Sequence, residues 1–189
     1  MATIEIRGDD FDAYAAVEPL ANDYTFHRWC EHLFILNEEL IKQETPDAYY
    51  LRAFVTTLYE LSDAGLEYAE KQMIEVPNDV RYGLFKEMIT EILCNLTEDE
   101  YLLLKHFRDS YCHIFTHNYN YFDKDGNLKT KLMTLYTKDR VKYSISAREF
   151  MEKAESVLGR TSRGELNFKK RLIKVCYPII SKYKMSFIQ

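Results

Sequence analysis

Glycine and proline are scarce, with six and four in 189 residues. A sandwich or barrel of short strands needs a turn roughly every ten residues, so this shortage argues against one and in favour of helices. No uninterrupted apolar run approaches the ~20 residues that span a bilayer. Residues 1–12 carry one arginine, four acids and no apolar stretch, so they do not read as a signal peptide. The four cysteines (Cys30, Cys94, Cys112 and Cys176) include no C-x-x-C pair, which excludes a zinc ribbon or a thioredoxin motif. Each sits among apolar residues and is expected as a reduced, buried thiol, as in a cytoplasmic protein without a membrane segment. Repeats of 20 to 50 residues are absent from the sequence. The net charge of −5 excludes an all-over basic coat.

What is present is a chain rich in apolar residues (47%) and charges (29%), as expected of a packed domain. The first twenty-odd residues are ambiguous. From about Asn22 to Gln43, Phe26, Trp29, Cys30, Leu33, Leu36 and Leu40 recur at spacings of three and four, which predicts a helix. Thr45-Pro46 then starts a second helix of about 28 residues, with a bend expected near Ser62–Gly65. Pro77-Asn78 breaks it, and a third apolar stripe runs from Val80 to Leu96. Thr97-x-x-Glu100 is a capping box that opens a fourth helix to about His117. Tyr119–Phe122, the Asp123–Gly126 turn, Leu128–Tyr136 and Val141–Ile145 read as a β-hairpin or ribbon. Ser146-x-x-Glu149 starts a helix that stops at Gly159, and a last helix runs from Glu165 to about Lys182, bent at Pro178. The predicted architecture is all-α. It is an up-and-down helical bundle in one domain, 1–189, with a small β-hairpin inserted between the fourth and fifth helices and a basic helical extension over 160–189.

The fourth helix carries the candidate chemistry. At 100° per residue, Leu104, Phe107, Tyr111, Ile114 and Phe115 share the core face. His106, His113 and His117 fall on the opposite side with Asp109 beside them, and Arg108 lies on the flank. Two chemistries fit. His113 and His117, an i, i+4 pair, can hold a divalent metal with Asp109 as a third ligand. Alternatively, Arg108 and a histidine form a phosphate clamp and a proton shuttle for an RNA phosphodiester, since attack by a 2′-OH needs a group of near-neutral pKa and a fixed cation. The third possibility is an ordinary polar, solvated helix face.

The string Arg108-Asp109-Ser110-Tyr111-Cys112-His113 has the R-x4-6-H form of the HEPN superfamily, with a polar residue directly after the arginine. The run His117-Asn118-Tyr119-x-Tyr121-Phe122, the β segment to Ile145 and the Ser146-x-x-Glu149 helix resemble the tail of HEPN domains. The resemblance covers roughly residues 24 to 159, and the stretch 107 to 126 is its specific part. In one respect the chain departs from the pattern. The spacing selects His113, whereas His117 is the histidine that leads into Asn118-Tyr119. The resemblance implies metal-independent RNA cleavage without a cofactor, giving a 2′,3′-cyclic phosphate and a 5′-hydroxyl, in bacterial or phage conflict as a toxin or abortive-infection effector. It assigns His113 as general acid/base, with His117 as the second choice, Arg108 as clamp and Asp109 as an orienting group. It also implies RNA as substrate, a homodimer through the motif helix, and an antitoxin or defence-system partner. A dimer suits the geometry, because one helix sets Arg108 and His113 about 140° apart.

The aromatic set Tyr119, Tyr121, Phe122, Tyr136 and Tyr143 reads first as cross-strand packing, and second as a platform for unpaired bases. Residues 160–189 hold eight basic residues and one acid, net +7, which leaves −12 for residues 1–159. Lys169, Lys170, Arg171, Lys174 and Lys182 are candidates for a patch that attracts RNA. Leu166, Phe168, Leu172, Ile173, Val175, Ile179 and Ile180 are expected to pack on the bundle or on a partner. Two other functions stay open: a non-catalytic, HEPN-like binding or regulatory protein, and a metal-dependent bundle enzyme. A Gly-rich phosphate loop, a nucleophile elbow and an H-E-x-x-H motif are all absent from the sequence.

Overall fold

The computed structural model describes residues 11–42, 48–112, 124–125, 127, 132–158 and 164–188, with the backbone alone for 11–24, 48–49, 109–112, 133, 165–166 and 188. Helix α1 (Phe11–Lys42) begins well before Asn22, so the ambiguous N-terminal stretch is helical from Phe11. Its alanines and acids favour a helix even where no apolar stripe marks one. Next comes an unbroken helical rod in three parts: α2 (Ala48–Glu60), a π-helical turn at Leu61–Gly65, and α3 (Leu66–Glu75). The irregularity expected near Ser62–Gly65 is this π turn. Ser62 helps hold it by donating from its hydroxyl to the Tyr59 carbonyl at 2.8 Å. Gly65 suits the close approach there, since a Cβ would stand 3.0 Å from Leu61 Cδ2 and 3.3 Å from Phe85 Cζ, and those side chains would have to shift.

Helix α4 (Val80–Asn95) is capped by Asp79, whose carboxylate accepts from the Arg81 N–H. Helix α5 (Glu98–Cys112) opens on the predicted capping box, made in both directions. The Glu100 N–H donates to Thr97 Oγ1 at 3.1 Å, and the Thr97 N–H donates to Glu100 Oε2 at 2.8 Å. Strands β1 (Leu132–Tyr136) and β2 (Lys142–Ser146) form an antiparallel pair in the register Leu132↔Ser146 to Tyr136↔Lys142. The described hairpin therefore turns at Thr137–Val141, joining the last two of the predicted β segments. Tyr119–Phe122 lies outside the described residues, as do Asp123 and Gly126 of the predicted turn. Helix α6 (Ala147–Leu158) starts where the Glu149 N–H donates to Ser146 Oγ, and α7 (Gly164–Ile188) runs on through Pro178 to Ile188, six residues past the expected end.

The protein is therefore a mainly helical bundle with a small hairpin that, among the described residues, falls between the fourth and fifth helices, counting α2 to α3 as one rod. Helix α2 packs on α1 and α5, α4 on α3 and α7, and α5 on α6. The main core is built from Leu33, Phe54, Leu58, Phe85, Ile89, Leu103 and Leu172 among others. A smaller cluster of Leu102, Leu135, Ile145, Ala147 and Phe150 joins the hairpin and α6 to the outer side of α5. Among the described residues, no helix is long and apolar enough to cross a membrane.

Candidate functional site

Helix α5 is held at its start, along its length and near its end. At the start, Glu100 serves the capping box and also accepts from Arg171 Nε of α7 at 2.7 Å. Its burial opposes ionisation, but the bonds from Arg171 and from the Thr97 backbone outweigh this and hold the carboxyl below its ordinary range. In the middle, Leu104 and Phe107 are buried as the periodicity predicts, Leu103 is buried beside them, and Phe107 stacks on Phe168 of α7 at 5.6 Å. Tyr101 stacks on Tyr59 of α2 with ring centroids 5.8 Å apart. Burial pushes the Tyr101 phenol up to about 12, so it stays protonated, and its hydroxyl bonds to Ser62 of the π turn.

Arg108 comes next, one turn before the end of the described helix. It is half-buried. Its Nε donates to Glu60 Oε1 at 2.7 Å, its Nη2 forms an ion pair with the same oxygen at 2.6 Å, and its guanidinium carbon lies 5.9 Å from the centre of the Tyr59 ring. Glu60 is the last residue of α2, just before the π turn, and lies 48 positions from Arg108 in sequence. Two contacts to one carboxylate oxygen and an aromatic face fix where the guanidinium points. The backbone of α5 includes Asp109, but its side chain, His113 and His117 lie outside the described residues. The structure thus positions Arg108 and does not describe its motif partners.

His106 departs from the predicted polar stripe. Its ring packs 5.6 Å from Phe150 of α6 and 6.0 Å from Phe107, and it is half-buried. A helical wheel assumes one covered face, whereas α5 is covered on two sides, by α2 and by α6. Leu102 is buried for the same reason. Cys94 also departs from expectation: it is exposed on the outer face of α4, while Cys30 and Cys176 are buried. Burial pushes both buried thiols up, Cys176 to about 12, which keeps them protonated and inert.

The basic tail differs as well. Lys169 is only 2% exposed and so does not belong to a surface patch. Arg171 is bound to Glu100, Lys182 pairs with Glu91 at 3.0 Å, and Lys184 pairs with Glu38. Of the five candidates, Lys170 and Lys174 are left exposed with Lys182. Three of the tail's eight basic residues therefore pair with acids of α1, α4 and α5. Phe168, Leu172, Val175, Ile179 and Ile180 are buried as predicted. Tyr136 is exposed, and Tyr143 packs against the smaller core.

Glu60 was not legible as a functional residue. It continues an amphipathic helix, and no spacing in the sequence connects it to Arg108. Among the described residues, no group of three His, Cys, Asp or Glu side chains is arranged to hold a metal. No protein-family model matches the chain, and no curated protein or solved structure is significantly similar to it.

Proposed function

We propose that the chain is a HEPN-type, metal-independent endoribonuclease of the bacterial cytoplasm, acting in conflict with phage or as a toxin. The observation that carries this reading is the arginine of the R-x4-H string held in one orientation on α5 by Glu60. Catalysis by a fixed cation depends on such preorganisation, because a guanidinium that is already aimed need not be ordered as charge develops on phosphorus. In the proposed reaction His113, or His117 in its place, takes the 2′-OH proton as O2′ attacks phosphorus. The P–O5′ bond breaks, and the departing O5′ is protonated, leaving a 2′,3′-cyclic phosphate and a 5′-hydroxyl. Asp109 orients one of these groups. At 100° per residue, the sequence spacing sets Arg108 and His113 about 140° apart if the helix continues, so in this reading a second copy supplies the missing partner and the working form is a homodimer.

The test is incubation of the purified protein with labelled single-stranded RNA in EDTA. Cleavage should occur and should be lost in Arg108→Ala and His113→Ala. Cleavage that survives both substitutions refutes the assignment, and cleavage only with added divalent metal favours a site built on His113 and His117.

The same Glu60 contact favours a second reading. A carboxylate that fixes Arg108 also neutralises part of its charge, which suits a regulatory protein that keeps the HEPN form and binds without turnover. RNA or partner binding with no product under any condition would support that reading.

A further inference from the structure

A cavity of about 370 Å³ opens between α1 and the π turn, beside the Glu60–Arg108 pair. Phe26, Trp29 and Tyr68 supply aromatic walls, Ala64 lies on its rim, and Glu60 is the one charged residue among the described lining. The Phe26 and Tyr68 rings are in contact with each other, at 5.3 Å between centroids. Glu60 uses Oε1 for both contacts to Arg108, so Oε2 is the oxygen left to face a ligand. An aromatic slot with one acceptor at its edge suits a flat heteroaromatic ring that carries an amino group. The cavity is within the size range of small-ligand sites. Arg108, the proposed phosphate clamp, is paired with the same Glu60 that lines the cavity.

We propose that this cavity receives an unpaired, amino-bearing nucleobase of the RNA strand whose phosphate lies at Arg108. The proposal rests on the ribonuclease reading for the identity of the strand. The base stacks against Trp29, and its exocyclic amine donates to Glu60 Oε2. Adenine, guanine and cytosine carry that amine. Uracil does not, and its carbonyls face the carboxylate with lone pairs. The occupied Glu60 then couples the two functions, since the carboxylate that reads the base also aims the clamp.

Trp29 is the only tryptophan in the chain and lines this cavity as well as a shallow hollow with Arg28 and His32, so its fluorescence responds to a ligand in either and the Ala64→Leu variant tells them apart. Full-length protein is titrated with the 3′-monophosphates of adenosine, guanosine, cytidine and uridine, and with ribose 5-phosphate and tetramethylammonium as controls. The expected result is saturable quenching by the three amino-bearing nucleotides, about tenfold weaker quenching by the uridine nucleotide, and none by ribose 5-phosphate. Ala64→Leu, which fills the rim from an exposed helical position, should abolish the quenching. Glu60→Gln should remove the preference, so that all four nucleotides bind alike, and it decides the matter if Ala64→Leu does not fold.

Equal quenching by ribose 5-phosphate, a response to tetramethylammonium alone, or selectivity unchanged in Glu60→Gln overturns the proposal. The cleavage assay separates the two readings. Nucleotide-selective quenching without RNA cleavage means the nuclease reading has failed and the pocket stands. Cleavage with no quenching by any nucleotide means the pocket has failed and the nuclease reading stands.

Discussion

The main core and the smaller cluster both lean on α5, and they are held by different forces. The main core buries Phe54 of α2 and Phe85, Met88 and Ile89 of α4 completely, and its cohesion is apolar area. The smaller one has five buried residues, too few to hold a two-stranded hairpin by area alone. Polar clamps supply the remainder. Lys138, in the hairpin turn, donates from Nζ to the carbonyls of Leu93 at 3.3 Å and Leu96 at 2.9 Å, at the C-terminus of α4. That end of a helix has unsatisfied carbonyls and a partial negative charge, so it favours a cation. Arg140 adopts a left-handed backbone (φ 61°), a conformation usually left to glycine. Its side chain compensates by bonding Glu70 at 2.7 Å and the Asp63 carbonyl of the π turn at 3.3 Å. The comparison teaches that the hairpin is attached by directional contacts to the rod carrying Glu60, whereas the bundle itself is held by non-directional burial.

The comparison can be broken from either side, starting with the largest expected effect. Phe85→Ala empties a fully buried site against Phe26, whose ring is 4.8 Å away, and should cost about 4 kcal/mol in urea unfolding of the whole bundle. A loss below about 1 kcal/mol would show that the main core is not the principal source of stability. Phe150→Ala, equally buried but in the smaller cluster, should cost about 3 kcal/mol, with faster amide exchange confined to β1, β2 and α6. Exchange that accelerates uniformly would mean the two cores unfold as one. Lys138→Met keeps the stem and removes the charge-assisted bonds to α4. About 1.5 kcal/mol should be lost, visible as a lower thermal midpoint.

The smallest effect is a pH dependence. The folded structure holds the Glu100 carboxyl below its ordinary value of 4.5, so folding is favoured above that value and the benefit is lost as pH falls through the lower, folded-state value. Unfolding midpoints measured from pH 7 downwards should therefore decline less steeply on the acid side in Glu100→Gln than in the parent protein. Parallel pH profiles would remove Glu100 from this account.

Local signals explain which parts of the fold were readable. The Thr97–Glu100 capping box, the Ser146 cap and the break at Pro77 each act within about four residues, and the structure places helix ends at all three. The π turn was visible as a weak point because Ser62, Asp63 and Gly65 interrupt a stripe of helix formers. The start of α1 was not, since residues 11–21 have helical propensity without a clear apolar period. The hairpin segment was legible, but its turn was not assigned to Thr137–Val141, where Arg140 stands at the position glycine normally marks.

The candidate site divides in the same way. Arg108 and its spacing to His113 are properties of one helix and were legible from the sequence. The partner that orients the arginine is not, because Glu60 lies 48 residues away and meets it only when α2 packs on α5. The packing of α6 on α5 turned His106 from a solvated residue into a neighbour of Phe150, and α7 brought Arg171 and Lys182 onto acids of the bundle. By itself the sequence determined the helices, their caps and an arginine–histidine string, since these follow from contacts a few residues apart. Only the tertiary structure decided that the arginine is held, that an aromatic cavity lies beside it and that Arg171, Lys182 and Lys184 of the basic tail pair with acids of the bundle, since each needs side chains from helices far apart in the chain.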